Sequence, residues 1–139
     1  ITGSHNPADY NGFKMLLPGG SVFGPAIKAL GQRASEGRWH VGEGRVEDED
    51  VMDRYVARLV EDFRGGAFRI GWDAGNGAAG PALEKLIERL PGEHHTLFTE
   101  VDGSFPNHHP DPTVEKNLEH LKALVRDKNL DFGIAFDGD

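Results

Sequence analysis

The amino-acid sequence predicts an α/β fold in which parallel strands alternate with helices as βαβαβ. The first observation is a set of three short apolar runs, at residues 67–73, 95–101 and 131–136. The second is that amphipathic stretches of helical period separate these runs, an alternation typical of a parallel sheet with crossover helices. The third is that polar residues follow the first and last runs, where open α/β sheets bind their ligands.

The N-terminal part of the chain is expected to contribute smaller elements. Residues 12–17 predict a short strand that ends in a Pro-Gly-Gly turn. Apolar residues at helical spacing predict a helix over 22–35, with Gly37 beyond its end. The polar, glycine-punctuated stretch 38–47 is interpreted as a linker between two structural units.

The remaining elements follow in order along the chain. An acidic run, 47–50, begins a helix whose apolar residues recur at helical spacing from Met52 to Phe63, and acidic side chains suit the positive end of a helix dipole. After the strand at 67–73 we expect a turn at 75–80 and a helix with Pro81 in its first turn. After the strand at 95–101, a loop over 102–113 and a helix with apolar residues from Leu118 to Val125 lead to the last strand.

Composition restricts the class of protein. The 139 residues suffice for one domain, or for one domain and part of another. The formal net charge of −8 argues against a nucleic-acid-binding surface, and the absence of cysteine excludes disulfides and thiol chemistry. No apolar run is long enough for a membrane-spanning helix, so a cytoplasmic location is expected. The start at Ile1 and the stop at Asp139 are interpreted as cuts through a longer protein.

Ser4 and His5 stand in a turn-forming run, Thr-Gly-Ser-His-Asn-Pro at 2–7. A serine beside a histidine can indicate a nucleophile and its base, but adjacent residues in an extended segment point apart. The residue types by themselves favour a plain turn.

Asp137 and Asp139 follow the last predicted strand and are separated by one glycine. Two carboxylates this close repel each other unless a cation neutralises them, and carboxylate oxygens are ligands that Mg²⁺ prefers. A solvated acidic turn remains the alternative. A strand followed by Asp-x-Asp also resembles the start of a haloacid-dehalogenase-type phosphatase, in which the first aspartate is phosphorylated.

Two further motifs have structural alternatives. The glycines at 75, 77 and 80 match the dinucleotide pattern G-x-G-x-x-G, with Glu100 near the end of the next strand. Because Asp73 precedes the first glycine and would repel a pyrophosphate, a tight strand-to-helix turn is favoured. The loop 105–112 places His108 and His109 among three prolines. Adjacent histidines seldom chelate one ion, so a rigid loop is favoured over a zinc site.

Taken together, these motifs resemble those of the α-D-phosphohexomutase family, and within it bacterial phosphomannomutase/phosphoglucomutase. The run 2–7, followed by Tyr-Asn-Gly-Phe-Lys at 10–14, is similar to the phosphoserine loop of the family. Asp-Ala-Gly-Asn-Gly at 73–77, the loop from 102 to 110, and Phe-Asp-Gly-Asp at 136–139 follow in the family's order and spacing. The resemblance covers essentially the whole chain.

The resemblance implies a catalytic mechanism. Ser4 corresponds to the serine that carries a phosphoryl group, gives it to a hexose monophosphate, and recovers the other phosphate from the glucose or mannose 1,6-bisphosphate so formed. Asp137, Asp139 and the phosphate on Ser4 correspond to ligands of the family's Mg²⁺, and a third aspartate and an arginine would fall after residue 139. Lys14 corresponds to a lysine near the phosphoserine that supports proton transfer or the developing charge. His5 corresponds to a residue that shapes the phosphoserine loop.

The resemblance also implies a domain organisation. Residues 1–45 would be the C-terminal part of domain 1, with the phosphoserine loop and the linker. Residues 46–139 would be most of domain 2, a three-layer αβα domain that ends in the metal-binding loop. The sugar-binding loop of domain 3 and the phosphate-binding loop of domain 4 are absent, so this piece alone is expected to be inactive. Gly3 favours a glucose or mannose phosphate over the glucosamine type.

Two alternatives to a mutase stay open. One is an aspartyl-phosphate phosphatase built on Asp137, and the other is a non-catalytic module that binds a dinucleotide or a sugar phosphate. The mutase hypothesis implies hexose phosphate substrates and Mg²⁺, with no nucleic-acid or membrane partner.

Overall fold

A computed structural model describes residues 9–138 of the chain. Residues 12–49 form one compact unit, and residues 50–138 together with 9–11 form a second. Among the described residues, no helix combines the length and the apolar character that crossing a membrane requires.

The first unit contains one hairpin and one helix. Strand β1, Leu16–Leu17, pairs antiparallel with β2, Gly20–Ser21, and helix α1 spans Pro25–Ser35. The strand predicted over 12–17 is limited to its last two residues, because the hairpin pairs only these with β2. The helix predicted over 22–35 begins later, since Gly24 precedes it with a φ of 56° and the proline at 25 occupies its first turn.

The second unit contains the predicted alternation of strands and helices. A single 3₁₀ turn, Glu115–Leu118, leads directly into the last helix. The elements in chain order are α2 Met52–Glu61, β3 Phe68–Asp73, α3 Gly80–Ile87, β4 Gly92–Leu97, α4 Glu119–Lys128 and β5 Phe132–Ala135.

The sheet of the second unit has the strand order β4–β3–β5, and both pairings are parallel. The prediction of a parallel βαβαβ sheet is therefore confirmed. On one face Ile70 and Trp72 pack with Leu83 of α3 in the buried core. On the other face Leu121 of α4 lies against the sheet, where a Cβ on Gly71 would come within 3.2 Å of its Cδ1. Helices thus cover both faces, in the three-layer αβα arrangement.

Two predicted boundaries are wrong in an informative way. The strand predicted over 95–101 runs instead over Gly92–Leu97, because Phe98 takes a left-handed φ of 54° and ends it. Helix α2 begins at residue 52, after the acidic run rather than within it. The carboxylate of Asp50 accepts a hydrogen bond from the backbone N–H of Met52 at 3.0 Å, so one acidic side chain does satisfy a helix N-terminal donor.

Candidate functional site

The structure describes two of the five residues predicted to carry the chemistry. Ser4, His5 and Asp139 lie outside the described residues. Lys14 is exposed in the first unit, and Asp137 is half-buried in the second.

The backbone on both sides of Asp137 is attached to the end of β3 and to the turn that joins β3 to α3. The N–H of Phe136 donates to the carbonyl oxygen of Asp73 at 2.9 Å, and the carbonyl oxygen of Gly138 accepts from the N–H of Ala78 at 3.1 Å. Phe136 also stacks on Trp72 of β3, with ring centroids 6.2 Å apart. The Asp137 loop therefore leaves β5 in a defined direction, at the carboxyl edge of the sheet.

The β3–α3 turn, residues 74–79, requires glycine at specific positions. Gly75 has a φ of 54°, in the left-handed region that side chains disfavour. A Cβ on Gly77 would lie 2.8 Å from the carbonyl oxygen of Gly138, and one on Gly80 would lie 1.9 Å from the carbonyl oxygen of Thr99. In the dinucleotide fingerprint the second glycine allows the pyrophosphate to approach. Here that approach is taken by residue 138, so the glycine pattern serves packing within the chain.

Asn76 joins the β3–α3 turn to the segment that follows β4. It is 5% exposed and has a left-handed φ of 58°. Its backbone N–H donates to the carbonyl oxygen of Phe98, and its side-chain Nδ2 donates to that of Glu100, both at 2.8 Å. Its Oδ1 accepts from Nδ2 of Asn107 at 2.8 Å. Glu100 contributes its backbone to this contact, while the residue itself is exposed.

The most buried charged side chain of the site belongs to Asp73, which is 1% exposed. Its Oδ1 accepts the N–H of Gly75 at 2.9 Å, and its Oδ2 lies 3.0 Å from Nε2 of His108. The other ring nitrogen of His108, Nδ1, lies 3.0 Å from the carbonyl oxygen of His109. Both ring nitrogens thus lie within hydrogen-bond distance of an oxygen, which fixes the orientation of the ring.

The loop at 105–112 is held against the β3–α3 turn. Pro110 is fully buried, and a Cβ added to Gly75 would lie 3.1 Å from the Cβ of Pro110. The ring of His108 makes an edge contact with Phe98 at 5.4 Å and stacks with His120 at 6.2 Å. Within residues 9–138 no group of three His, Cys, Asp or Glu side chains is arranged to hold a metal ion. His108 of this loop is instead the hydrogen-bond partner of the buried Asp73.

Asp102 lies at the start of the 102–113 segment that contains this loop, and its carboxylate is hydrogen-bonded to Ser104. The hydroxyl and the N–H of Ser104 donate to its Oδ1 at 2.7 and 2.8 Å, and these hydrogen bonds lower the pKa of the Asp102 carboxyl. Its backbone N–H donates to the carbonyl oxygen of Asn76 at 3.0 Å. Asp102 thereby adds a further link between this loop and the β3–α3 turn.

The pairing of Asp73 with His108 was missed by reasoning from the sequence. Asp73 was considered only as a charge that would repel a pyrophosphate, and His108 only as a possible zinc ligand. A signal for this pairing was present in the sequence. Asp73 ends the strand predicted at 67–73, and His108 lies in the loop that follows the strand predicted at 95–101. The carboxyl ends of neighbouring parallel strands meet at one edge.

Comparisons with known proteins agree with one another. A family profile described as phosphoglucomutase/phosphomannomutase, alpha/beta/alpha domain II matches residues 53–139, and the profile for alpha/beta/alpha domain I matches residues 1–40. A phosphomannomutase/phosphoglucomutase of Pseudomonas putida is 46% identical over 140 residues, which cover 100% of this chain and 30% of that protein. A phosphoglucomutase of Neisseria meningitidis is 42% identical over 142 residues, covering 100% of this chain and 31% of that protein.

A solved structure shows the same fold. The crystal structure of a phosphoglucomutase/phosphomannomutase family protein from Burkholderia thailandensis matches with a TM-score of 0.91 at 46% identity, over 99% of this chain and 30% of that one. The chain therefore spans about 30% of the length of the proteins that it matches.

Proposed function

The chain belongs to the phosphoglucomutase/phosphomannomutase family, and we propose that a full-length protein containing it interconverts hexose 6-phosphates and hexose 1-phosphates of glucose, mannose or both. The observation that carries this proposal is the placement of Asp137. It follows a parallel strand at the carboxyl edge of the sheet. Backbone hydrogen bonds attach its neighbours, Phe136 to Asp73 at the end of β3 and Gly138 to Ala78 in the β3–α3 turn. An acidic loop held in this way supports the acidic metal-binding loop that the family resemblance implies.

The proposed reaction uses Ser4 as a phosphoryl carrier. The bond between phosphorus and Oγ of phosphorylated Ser4 breaks as a new bond forms to a hydroxyl oxygen of the hexose monophosphate. The hydroxyl proton leaves to a base, and Oγ of Ser4 takes up a proton to become a hydroxyl. The resulting hexose 1,6-bisphosphate returns its other phosphoryl group to Ser4, so that phosphate is conserved over the cycle. Lys14 is proposed to support the proton transfer or the developing charge, and His5 to shape the serine loop.

The residues present fit a Mg²⁺ ion by their donor chemistry. Asp137 and Asp139 offer hard carboxylate oxygens, and a phosphorylated Ser4 adds phosphate oxygens, which are the ligands that Mg²⁺ prefers. When bound, Mg²⁺ neutralises negative charge on the transferring phosphoryl group, and phosphoryl transfer depends on such neutralisation and on positioning. The chain's own contribution is to hold the Asp137 loop in place.

The proposal includes a division of the chain. Residues 1–45 would supply the serine loop from one domain, and residues 46–139 would supply the acidic loop from the next. Because the matched proteins are about three times longer, at 30% coverage, we propose that these 139 residues alone do not turn over hexose phosphates. We further propose that the full-length protein works in the cytoplasm, with hexose phosphates as its partners.

The first experiment maps covalent phosphate on the purified full-length protein. We expect acid-stable phosphate on Ser4. Alkali-labile phosphate on Asp137 would instead support an aspartyl-phosphate phosphatase, and saturable NAD binding without turnover would support a dinucleotide-binding module. Either result would overturn the mutase proposal.

The second experiment measures mutase turnover of variants. Ser4→Ala and Asp137→Ala should each lower kcat/KM, with Ser4→Ala lowering it by more than about 10³-fold because it removes the nucleophile. Asp127→Ala is a matched control, since Asp127 is an exposed aspartate near the end of α4. Unaltered activity in folded Ser4→Ala would contradict the proposal.

A further inference from the structure

The Asp137 loop takes its position from backbone contacts with the last residue of β3 and with the β3–α3 turn that follows it. The carbonyl oxygen of Asp73 accepts the N–H of Phe136 at 2.9 Å, and the N–H of Ala78 donates to the carbonyl oxygen of Gly138 at 3.1 Å. All four groups belong to the main chain. The conformation of the turn backbone therefore sets the path of the backbone through Asp137.

That turn backbone needs contacts from outside itself to stay in place. Two consecutive residues, Gly75 and Asn76, have φ values of 54° and 58°, in a region that only glycine adopts freely. The Asp73 carboxylate holds the first of them through the hydrogen bond from the N–H of Gly75 at 2.9 Å. The carbonyl oxygen of Phe98 holds the second through the N–H of Asn76 at 2.8 Å.

His108 in turn holds the Asp73 carboxylate. Its Nε2 lies 3.0 Å from Oδ2 of Asp73, and the two side chains are 11% and 1% exposed. The ring is kept in orientation by the edge of Phe98, by the stacked ring of His120, and by the carbonyl oxygen of His109. Because the pair is this buried, water cannot readily replace either partner.

We infer that Asp73 and His108 are positioning residues for the Asp137 loop, and that the hydrogen bond between them raises the affinity of that loop for Mg²⁺ by fixing the turn on which it rests. The inference rests on the proposed function, because it takes Asp137 to be a Mg²⁺ ligand. Asp73 and His108 act on the Asp137 loop through the backbone. Their effect passes through the carbonyl oxygen of Asp73 and through the turn to Ala78 and Gly138.

The test is Mg²⁺ binding to the full-length protein, with Mg²⁺ alone titrated in a calorimeter. We expect His108→Ala to raise the Kd for Mg²⁺ by about 10-fold or more, the usual effect of removing a residue that orients a metal ligand. In turnover assays the Mg²⁺ concentration for half-maximal rate should rise by the same factor. The value of kcat at saturating Mg²⁺ should change less, because Mg²⁺ binding itself offsets a displaced loop.

A conservative pair of variants separates positioning from general damage. In His108→Gln the amide N–H can reach the place of Nε2 and donate to Asp73, whereas in His108→Asn the shorter side chain cannot. We expect the Gln variant to keep most of the Mg²⁺ affinity and the Asn variant to lose it. Equal affinities for the two variants would overturn the inference, and this comparison remains decisive if His108→Ala does not fold.

His95→Ala is the matched control. His95 also pairs with a carboxylate, Glu93, at 2.7 Å, but that pair is more exposed and belongs to β4, away from the Asp137 loop. Its removal should leave the Kd for Mg²⁺ within about twofold, a change of less than about 0.5 kcal/mol by the relation between affinity and free energy. An equal loss in both alanine variants would overturn the inference.

A second route displaces the Asp137 loop without removing a charge. A Cβ introduced by Gly77→Ala would lie 2.8 Å from the carbonyl oxygen of Gly138, so the loop must move. We expect weaker Mg²⁺ binding of the same order as in His108→Ala. Folded variants of both kinds with unchanged Mg²⁺ affinity would overturn the inference. Asp137→Ala separates the two claims, because unchanged Mg²⁺ binding in that variant would contradict the proposed function itself.

Discussion

The two ends of the parallel sheet hold charged side chains in different ways. At the carboxyl end, Asp73 and His108 form a pair whose side chains are 1% and 11% exposed. Toward the amino end, Glu93 and His95 form a pair of the same chemistry whose side chains are 49% and 26% exposed. Taking charges out of water costs free energy that only good geometry and further hydrogen bonds offset. The buried pair has those further contacts: Asp73 accepts from the N–H of Gly75 in the β3–α3 turn, and Nδ1 of His108 lies 3.0 Å from the carbonyl oxygen of His109.

The amino end uses charge to attach a helix to the sheet. The guanidinium of Arg69 donates to the carbonyl oxygens of Lys128 and Asn129, both at 2.7 Å, and to the carboxylate of Glu93 at 2.9 Å. A cation at these last carbonyls of α4 also suits the negative end of the helix dipole. The groups are exposed, so water can replace part of each contact. The difference indicates that the carboxyl end fixes a backbone conformation, while the amino end adds stability.

The largest expected effect is the loss of the buried aspartate. Asp73→Ala leaves the His108 ring and the N–H of Gly75 without their acceptor, and breaking a buried pair costs about 3–5 kcal/mol. We expect the free energy of unfolding of the second unit to fall by that amount. The measurement is urea unfolding followed by the fluorescence of Trp72, which lies in the core, in a Trp39→Phe background that removes the other tryptophan.

The comparison between the two ends supplies the control for that measurement. Glu93→Ala removes the carboxylate of the exposed pair and should lower the free energy of unfolding much less than Asp73→Ala does. Equal losses for the two variants would mean that burial does not distinguish the two pairs. The interpretation that the buried pair contributes more to stability than the exposed pair would then be wrong.

A smaller effect is expected at the amino end from Arg69→Lys. The lysine ammonium is a single point of donation and cannot reach both carbonyl oxygens and Glu93 at once. We expect the free energy of unfolding to fall by about 1 kcal/mol, the typical net value of a hydrogen bond. Hydrogen exchange should also quicken at the last turn of α4, while the same change at exposed Arg126 of that helix should leave exchange there unaltered. Unchanged exchange in Arg69→Lys would contradict the role of Arg69 as the attachment of α4.

The fold was largely predictable because local periodicity reports which side of an element is buried. The apolar runs and stripes predicted β3, α3 and β5 with small errors in their ends. The end of β4 was not predictable in this way. It depends on the left-handed Phe98, whose carbonyl oxygen accepts from Asn76, a residue far earlier in the chain. Hydrogen bonds between distant segments leave no periodic pattern.

The candidate site was predictable only where one short segment carries it. Asp137 could be placed at a strand end from its neighbours alone, and the structure puts it there. The partners Asp73 and His108 are 35 residues apart, and only the pairing of the two strands, not either segment by itself, brings them together. Ser4 and His5 remain predictions that rest on the family resemblance.

The smallest effect concerns the pH dependence of the amino end. Hydrogen bonds from His95 and Arg69, together with their positive charges, lower the pKa of the Glu93 carboxyl in the folded protein. The unfolded chain has a glutamate pKa of about 4.3. Because the folded-state pKa of Glu93 is lower, the ionised carboxylate stabilises the folded protein fully above about pH 4.3, and this stabilisation is lost as the pH falls below that value. Glu93→Gln should therefore lower the Tm at pH 7, and the difference from the parent protein should shrink as the pH falls below about 4.

The dependence on salt should differ between Glu93 at the amino end and Asp102 at the carboxyl end. Arg69, one of the partners of Glu93, is charged, so added salt should reduce the effect of Glu93→Gln at pH 7. At the carboxyl end the pKa of Asp102 is lowered by the hydroxyl and N–H of Ser104, which carry no charge. The effect of Asp102→Asn should follow pH in the same direction but resist salt. Thermal unfolding of both variants at pH 3 to 7 and at two salt concentrations tests this, and equal salt sensitivity would show that the two carboxylates are stabilised by the same kind of interaction.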